Sequence, residues 1–174
     1  MIKFPKGLTM IENQVKTWIK TVTGLSNANV ISENDNHARP SGQYATVKLT
    51  DPLVIGHDAY KVTNSINDTV NLNYTGVRKL MISVNIYRDD AMQKMASLSA
   101  SFNRLDTQIY FRGINLGIIN SSETRELTSL VNDKWEERRQ TDFFFYAEDK
   151  EVVNVEAITK ISGTGFDTPY LVES

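Results

Sequence analysis

The chain contains no cysteine, which excludes disulfides, iron–sulfur ligation and thiol nucleophiles. Histidine is almost as scarce. His37 and His57 are the only two; both lie in loop-like sequence and neither belongs to a His-x-His or His-x-x-x-His pair, so they read as solvated loop residues and not as metal ligands. No apolar run approaches the roughly 20 residues that span a bilayer, and Met1-Ile2-Lys3-Phe4-Pro5 lacks the apolar stretch of a signal peptide. The expectation is a protein made and assembled in a cytoplasm, without a membrane partner. Charge of one sign is also missing: 19 Lys and Arg against 21 Asp and Glu leave a net −2, which is not the basic footprint of a nucleic-acid binder. Without a secretion signal, the sequons at Asn67, Asn73 and Asn120 read as chance in a chain rich in Asn, Ser and Thr.

What is present is ordinary globular composition, 40% hydrophobic and 23% charged over 174 residues, enough for one domain, 1–174, with a real core. The most informative stretch is 77–102. Leu80, Ile82, Val84 and Ile86 fall on every second position, the period of a half-buried strand; after Arg88-Asp89-Asp90, Ala91, Met95, Leu98 and Phe102 recur three or four apart, the period of a helix. Either aspartate is placed to cap that helix. An earlier helix is predicted over about 10–24, opened by a capping box, Thr9-x-x-Glu12, striped by Ile11, Val15, Trp18, Ile19 and Val22, and stopped by Gly24. The fold class that follows is α+β: a mixed, largely antiparallel sheet packed on one side by two helices, about 10–24 and 90–103, with long loop or hairpin excursions.

Between these elements, Val30-Ile31 suggests a short strand, and 43–50 a second one with Ala45, Val47 and Leu49 on one side and a wet face on the other. Residues 51–75 are the least legible, with short apolar patches and an Asn-rich run that reads as an extended loop or exposed hairpin; excursions of that length tend to carry function or interfaces. Leu127 to Val131 reads as a helical turn or a loop. In 135–147, Glu136, Glu137, Arg138 and Arg139 make the first half polar on both parities, whereas Phe143, Phe144, Phe145 and Tyr146 make the second half aromatic on both. A strand of a two-layer domain should be wet on one face, so the aromatic half implies that its outer face meets a chain excursion or a neighbouring subunit. A last strand is expected over 152–162, then a tail, 164–174, that is mobile unless a partner holds it.

The pattern offers no chemistry. Glu136 and Glu137 are neighbours on a strand and point to opposite faces, so they cannot share one bond. There is no Gly-x-Ser-x-Gly elbow. Gly163-Thr164-Gly165 follows the last expected strand and lacks a phosphate-loop lysine. The basic cluster of Lys134, Arg138 and Arg139 is interleaved with Glu136 and Glu137, which cancels the field that DNA binding requires. No catalytic residue, cofactor or metal is expected, and the absence of an active site points to a structural role.

The order of the pieces resembles a known family. Val15-Lys16-Thr17-Trp18-Ile19-Lys20-Thr21-Val22-Thr23-Gly24-Leu25 leads to Arg39-Pro40, then to the alternating strand Tyr44-Ala45-Thr46-Val47, the strand and helix of 78–102, Trp135-Glu136-Glu137-Arg138, and Glu-x-Ile-x-Lys-Ile-Ser-Gly at 156–163. This is similar to the neck or tail-terminator proteins of tailed bacteriophages over nearly the whole chain. The resemblance implies a structural virion protein, not an enzyme, assembled in the host cytoplasm into a ring of six copies at the head-proximal end of the tail. Its partners would be further copies of itself, the tail tube protein, sheath and head–tail connector proteins, and DNA only in passing through the lumen. Ring closure requires one patch to meet a different patch on the next copy; Glu136, Glu137, Arg138, Arg139, Phe144 and Tyr146 are the expected subunit interface, apolar area supplying affinity and charge fixing register. The alternatives are a head-closure, tail-completion or other minor tail protein, or a small ligand-binding domain or enzyme with its site in 51–75.

Overall fold

The computed structural model describes residues 7–33, 38–64, 69–131, 133–156, 160–165 and 168–173. Three helices, α1 (Leu8–Thr23), α2 (Ala91–Phe102) and α3 (Leu105–Arg112), accompany eleven strands among them: β1 (Val30–Ser32), β2 (Tyr44–Leu49), β3 (Leu53–Asn64), β4 (Thr69–Tyr87), β5 (Leu116–Ser121), β6 (Arg125–Glu126), β7 (Ser129–Val131), β8 (Lys134–Glu136), β9 (Arg138–Glu156), β10 (Lys160–Gly165) and β11 (Thr168–Glu173). Seven strands form the main sheet. Its spine is β4 against β9, antiparallel from Thr69 opposite Glu156 to Tyr87 opposite Arg138 without a break. One flank of β4 carries β2 and then β3 in succession; one flank of β9 carries β6 and then β5. Only β1, beside β2, runs parallel. The α+β class and the mostly antiparallel sheet agree with the reading from sequence.

The helices lie on the face made by Leu80, Ile82, Val84 and Ile86 of β4 and Phe143, Phe145 and Ala147 of β9, all buried. Against it α1 sets Ile11, Val15, Trp18 and Ile19, and α2 sets Ala91, Met95, Leu98 and Phe102, as their 3.6-residue spacing dictates. Trp18 is the centre of this contact, its ring 5.2 Å from Phe143, 5.4 Å from Phe111 and 5.8 Å from Phe102. Each such buried side chain contributes roughly 1.5–3 kcal/mol of transfer free energy.

Several expectations need correction. A third helix, α3, adds Phe111 and Thr107 to the core. The Thr9 capping box does not form: α1 begins at Leu8 with Gly7 at the N-cap and no side-chain cap, so Thr9 already lies inside the first turn, and Glu12 is turned instead to Lys16, 3.0 Å away, and to Ser32. The α2 cap also differs, because Asp90 takes the left-handed conformation (φ 57°) and makes no side-chain cap. The outer face of β2 is not wet at its start, since Tyr44 stacks on Tyr87 at 4.4 Å and both are buried with Thr46. The segment from Leu127 contains the strand β7, paired with β8. Val152 to Val155 belong to the continuous β9, not to a separate last strand, and the tail of 164–174 includes strand, β10 pairing with β11 from Lys160 opposite Glu173 to Gly165 opposite Thr168. No described helix is long and apolar enough to cross a membrane.

Candidate assembly interface

Past Leu80 the sheet leaves the helices behind. Only β3, the first part of β4 and the last part of β9 continue, as a three-stranded arm about 30 Å long at roughly 3.3 Å per residue. The excursion at 51–75 is therefore an extended hairpin, and its turn falls outside the described residues. Alternation sorts the arm into two faces. Tyr60 and Val62 of β3 stand beside Tyr74 and Leu72 of β4, and Val153 and Val155 of β9 complete the row. Val62 is 51% exposed and Tyr60 65%. This apolar face is the same sheet face that the helices bury in the body. The opposite face carries Lys61, Thr63, Asn71, Asn73 and Asn154.

A charged cluster separates the bare part of that face from the covered part. The buried Arg78 donates from Nη1 to Asp58 Oδ1 (2.7 Å) and from Nη2 to Asp58 Oδ2 (2.6 Å), and Nη2 lies 3.0 Å from Asp149 Oδ2. These hydrogen bonds hold the Asp58 carboxyl below its ordinary value. Asp58 reaches the cluster because β3 bulges between Ile55 and Ala59, where Gly56 adopts φ 69°. Gly76 lies beneath, and a Cβ there would collide with both the Asp58 carboxylate and the Arg78 guanidinium.

The six residues singled out from the sequence fall into two groups. Phe144 and Tyr146 lie on the outer face near the base of the arm, Tyr146 exposed and Phe144 half-buried beneath the Lys79 ammonium, 4.6 Å from its ring centre. Register brings Leu53, Ile55 and Val77, all exposed, onto the same outer face. Glu136, Glu137, Arg138 and Arg139 lie about 25 Å further down β9, at the bend between β8 and β9. Their charges have partners within the chain. Arg88 donates to Glu136 at 2.9 Å and to the carbonyls of Pro40 and Gly42, tying the 38–43 loop to the bend. Arg139 pairs with Glu126 (2.8 Å) and Glu137 (3.1 Å), and Arg138 donates to Asn85 at 3.1 Å. The hairpin of β7 and β8 projects beside them, with Trp135 opposite Leu130 and 75% exposed.

Trp135, Leu53, Ile55, Val77 and the apolar arm face were not singled out from the sequence. A strand of three residues on either side of a turn gives Trp135 no period to follow, and the Asn-rich strand hides its apolar alternation.

Elsewhere, a cleft of about 490 Å³ opens between the helices, lined by Trp18, Thr21, Ser101, Arg104, Asp106 and Tyr110. Arg104 and Asp106 pair with each other and the Tyr110 hydroxyl donates to Gln14. His57 is exposed on the bulge of β3, His37 lies outside the described residues, and among the described residues no three His, Asp or Glu side chains gather as a metal site would require.

No curated protein matches the chain. The family model described as phage neck terminator protein matches residues 10–169, a span that takes in the helices, the main sheet and the arm. A bare apolar arm, an outer aromatic patch and an exposed tryptophan hairpin are what a subunit of a larger assembly displays, and the chain belongs to the phage neck terminator protein family, structural components of the phage tail and neck.

Proposed function

We propose that this chain forms a ring, six copies around the tail axis, at the head-proximal end of a phage tail, where it ends growth of the tail tube and joins the tube to the head connector. The arm is the observation that carries this reading. A sheet face that is apolar on either side of the Arg78–Asp58–Asp149 cluster, yet covered by helices on only one side of it, needs cover from another molecule, and the bare part is held out from the body on three strands. Phe144 and Tyr146, with Leu53, Ile55 and Val77, form one contact patch; Glu136, Glu137, Arg138 and Arg139 hold the bend that presents Trp135 at a second. Two unlike patches on one chain are what a closed head-to-tail ring uses, and an exposed Trp is the residue type most often found carrying such contacts. The ring's partners are the tail tube protein and the sheath and connector proteins, with DNA only in transit through its lumen, and assembly takes place in the host cytoplasm. The chain acts as a structural piece and not as an enzyme.

Light scattering on the purified chain over a range of concentrations, with electron images of the chain alone and on tail tubes, tests the proposal. Six-fold rings are the expected result, and Tyr146→Glu is expected to abolish them while leaving the circular dichroism unchanged. A monomer at every concentration that also fails to cap tail tubes overturns it.

A further inference from the structure

In the arm the sheet is three strands wide, and among the described residues both of its margins are bare. β3 pairs with β4 along one side only. Beyond Ala147, β9 pairs with β4 alone, because β5 begins at Leu116 opposite Ala147. Each margin therefore presents a row of backbone N–H and C=O groups with no ladder partner. Soluble proteins blunt such edges with proline, brevity or a covering element. Here β3 has 12 residues, neither β3 nor residues 148–156 of β9 contains proline, and the β9 edge is rich in β-branched Val152, Val153 and Val155. The bulge at Ile55–Ala59 interrupts the β3 edge and charge occupies the β9 edge at 148–151, which leaves Ala59–Asn64 and Val152–Val155 as the open stretches, and these are pairing surfaces.

Their directions say how they pair. Both β3 and β9 run antiparallel to β4, so they run parallel to each other. Rotating a copy about an axis along the arm brings the β9 edge of one beside the β3 edge of the next, in parallel, and leaves neither edge open. A two-fold pair would satisfy one edge and expose the other. Resting on the ring reading above, we infer that neighbouring copies are joined by backbone hydrogen bonds between Val152–Val155 of one copy and Ala59–Asn64 of the next, so that the arms close into a β-barrel. Three strands from each of six copies make about 18, a strand number at which a barrel retains an aqueous channel. The alternation of the arm, Val62, Leu72 and Val153 against Lys61, Asn71, Asn73 and Asn154, is that of a wall with one wet side.

Cysteine pairs test the seam, because the natural chain has no thiol to interfere. Val152→Cys is combined in turn with Ala59→Cys, Lys61→Cys and Thr63→Cys; all four positions are exposed and share the polar face. Within one copy β3 and β9 lie on opposite sides of β4, about 10 Å apart, beyond the roughly 7 Å that a disulfide bridges, so any bond that forms links two copies. Oxidised assemblies, formed alone or on tail tubes, are read on non-reducing gels. At least one double variant should give a ladder of bands reaching six times the chain mass, and each single variant one band at the chain mass. Rings that form, by light scattering and electron images, while no double variant gives a ladder overturn the seam and leave the ring reading standing. Single variants that cross-link as dimers overturn it in favour of a two-fold contact. A wild-type chain that forms no ring overturns the ring reading and the seam together.

Discussion

Arg78 and Asp58 face each other fork to fork, two nearly equal hydrogen bonds of 2.7 and 2.6 Å, at the place where the covered sheet becomes the bare arm. Asp149 completes the cluster from the other side, and both it and Arg78 are buried. Removing the cation leaves Asp149 without a counter-charge. Arg78→Met is expected to cost about 3–5 kcal/mol, read from the urea midpoint, with the m-value checking that unfolding still occurs in one step.

Gly76→Ala tests the same junction from beneath. Its methyl group displaces the carboxylate and the guanidinium that lie over it, and overpacking of that kind costs about 1–3 kcal/mol. The loss should be concentrated in the arm, so limited proteolysis is expected to accelerate at 69–77 and 148–156 before the body is cut. Equal acceleration in the helices would show that the junction governs the whole domain.

Acid should loosen the same cluster. The folded-state pKa of Asp58 is lowered, chiefly by the hydrogen bonds from Arg78, so its contribution is fully present above the unfolded value of about 3.9 and disappears as pH falls through the lower folded value. Asp58→Asn removes this dependence. The urea midpoints of the wild type and the variant are expected to differ at pH 7 and to converge as pH drops below about 4; a constant difference across that range contradicts the assignment.

The two tryptophans report on opposite environments. Trp18 is 5% exposed and its indole N–H has no hydrogen-bond partner, whereas Trp135 is 75% exposed. With Trp135→Phe the remaining emission should be blue-shifted and resistant to iodide; with Trp18→Phe it should be red-shifted and readily quenched. Trp18→Ala is expected to cost about 3–5 kcal/mol, and Trp18→Phe much less, because the ring contacts are largely kept and an unpaired buried donor is removed. If assembly covers Trp135, its quenching falls on ring formation.

The core was legible where one period held for two or more turns of helix or five or more residues of strand. Leu80, Ile82, Val84 and Ile86, the Trp18 stripe and the Met95 stripe all lie where their spacing puts them. α3 was not legible because its apolar residues are split: Phe111 is buried while Leu105 and Ile109 are exposed, and Thr107 takes a core position. The continuity of β9 was hidden by Glu148-Asp149-Lys150-Glu151, a run that looks like a turn; in the fold Asp149 is buried against Arg78 and the chain passes straight through. Phe144 and Tyr146 were visible as an anomaly of parity, but Leu53, Ile55 and Val77 join them only through strand register, which no local pattern encodes. Trp135 has no periodic signal at all.

β4 and β9 each run 19 residues from the body to the tip of the arm without interruption. A pull on the tip along the strand direction is therefore carried by two unbroken backbones straight into the body. The arm behaves as a mechanical tether rooted in the hydrophobic core, and detaching it under axial tension requires tearing the protein open.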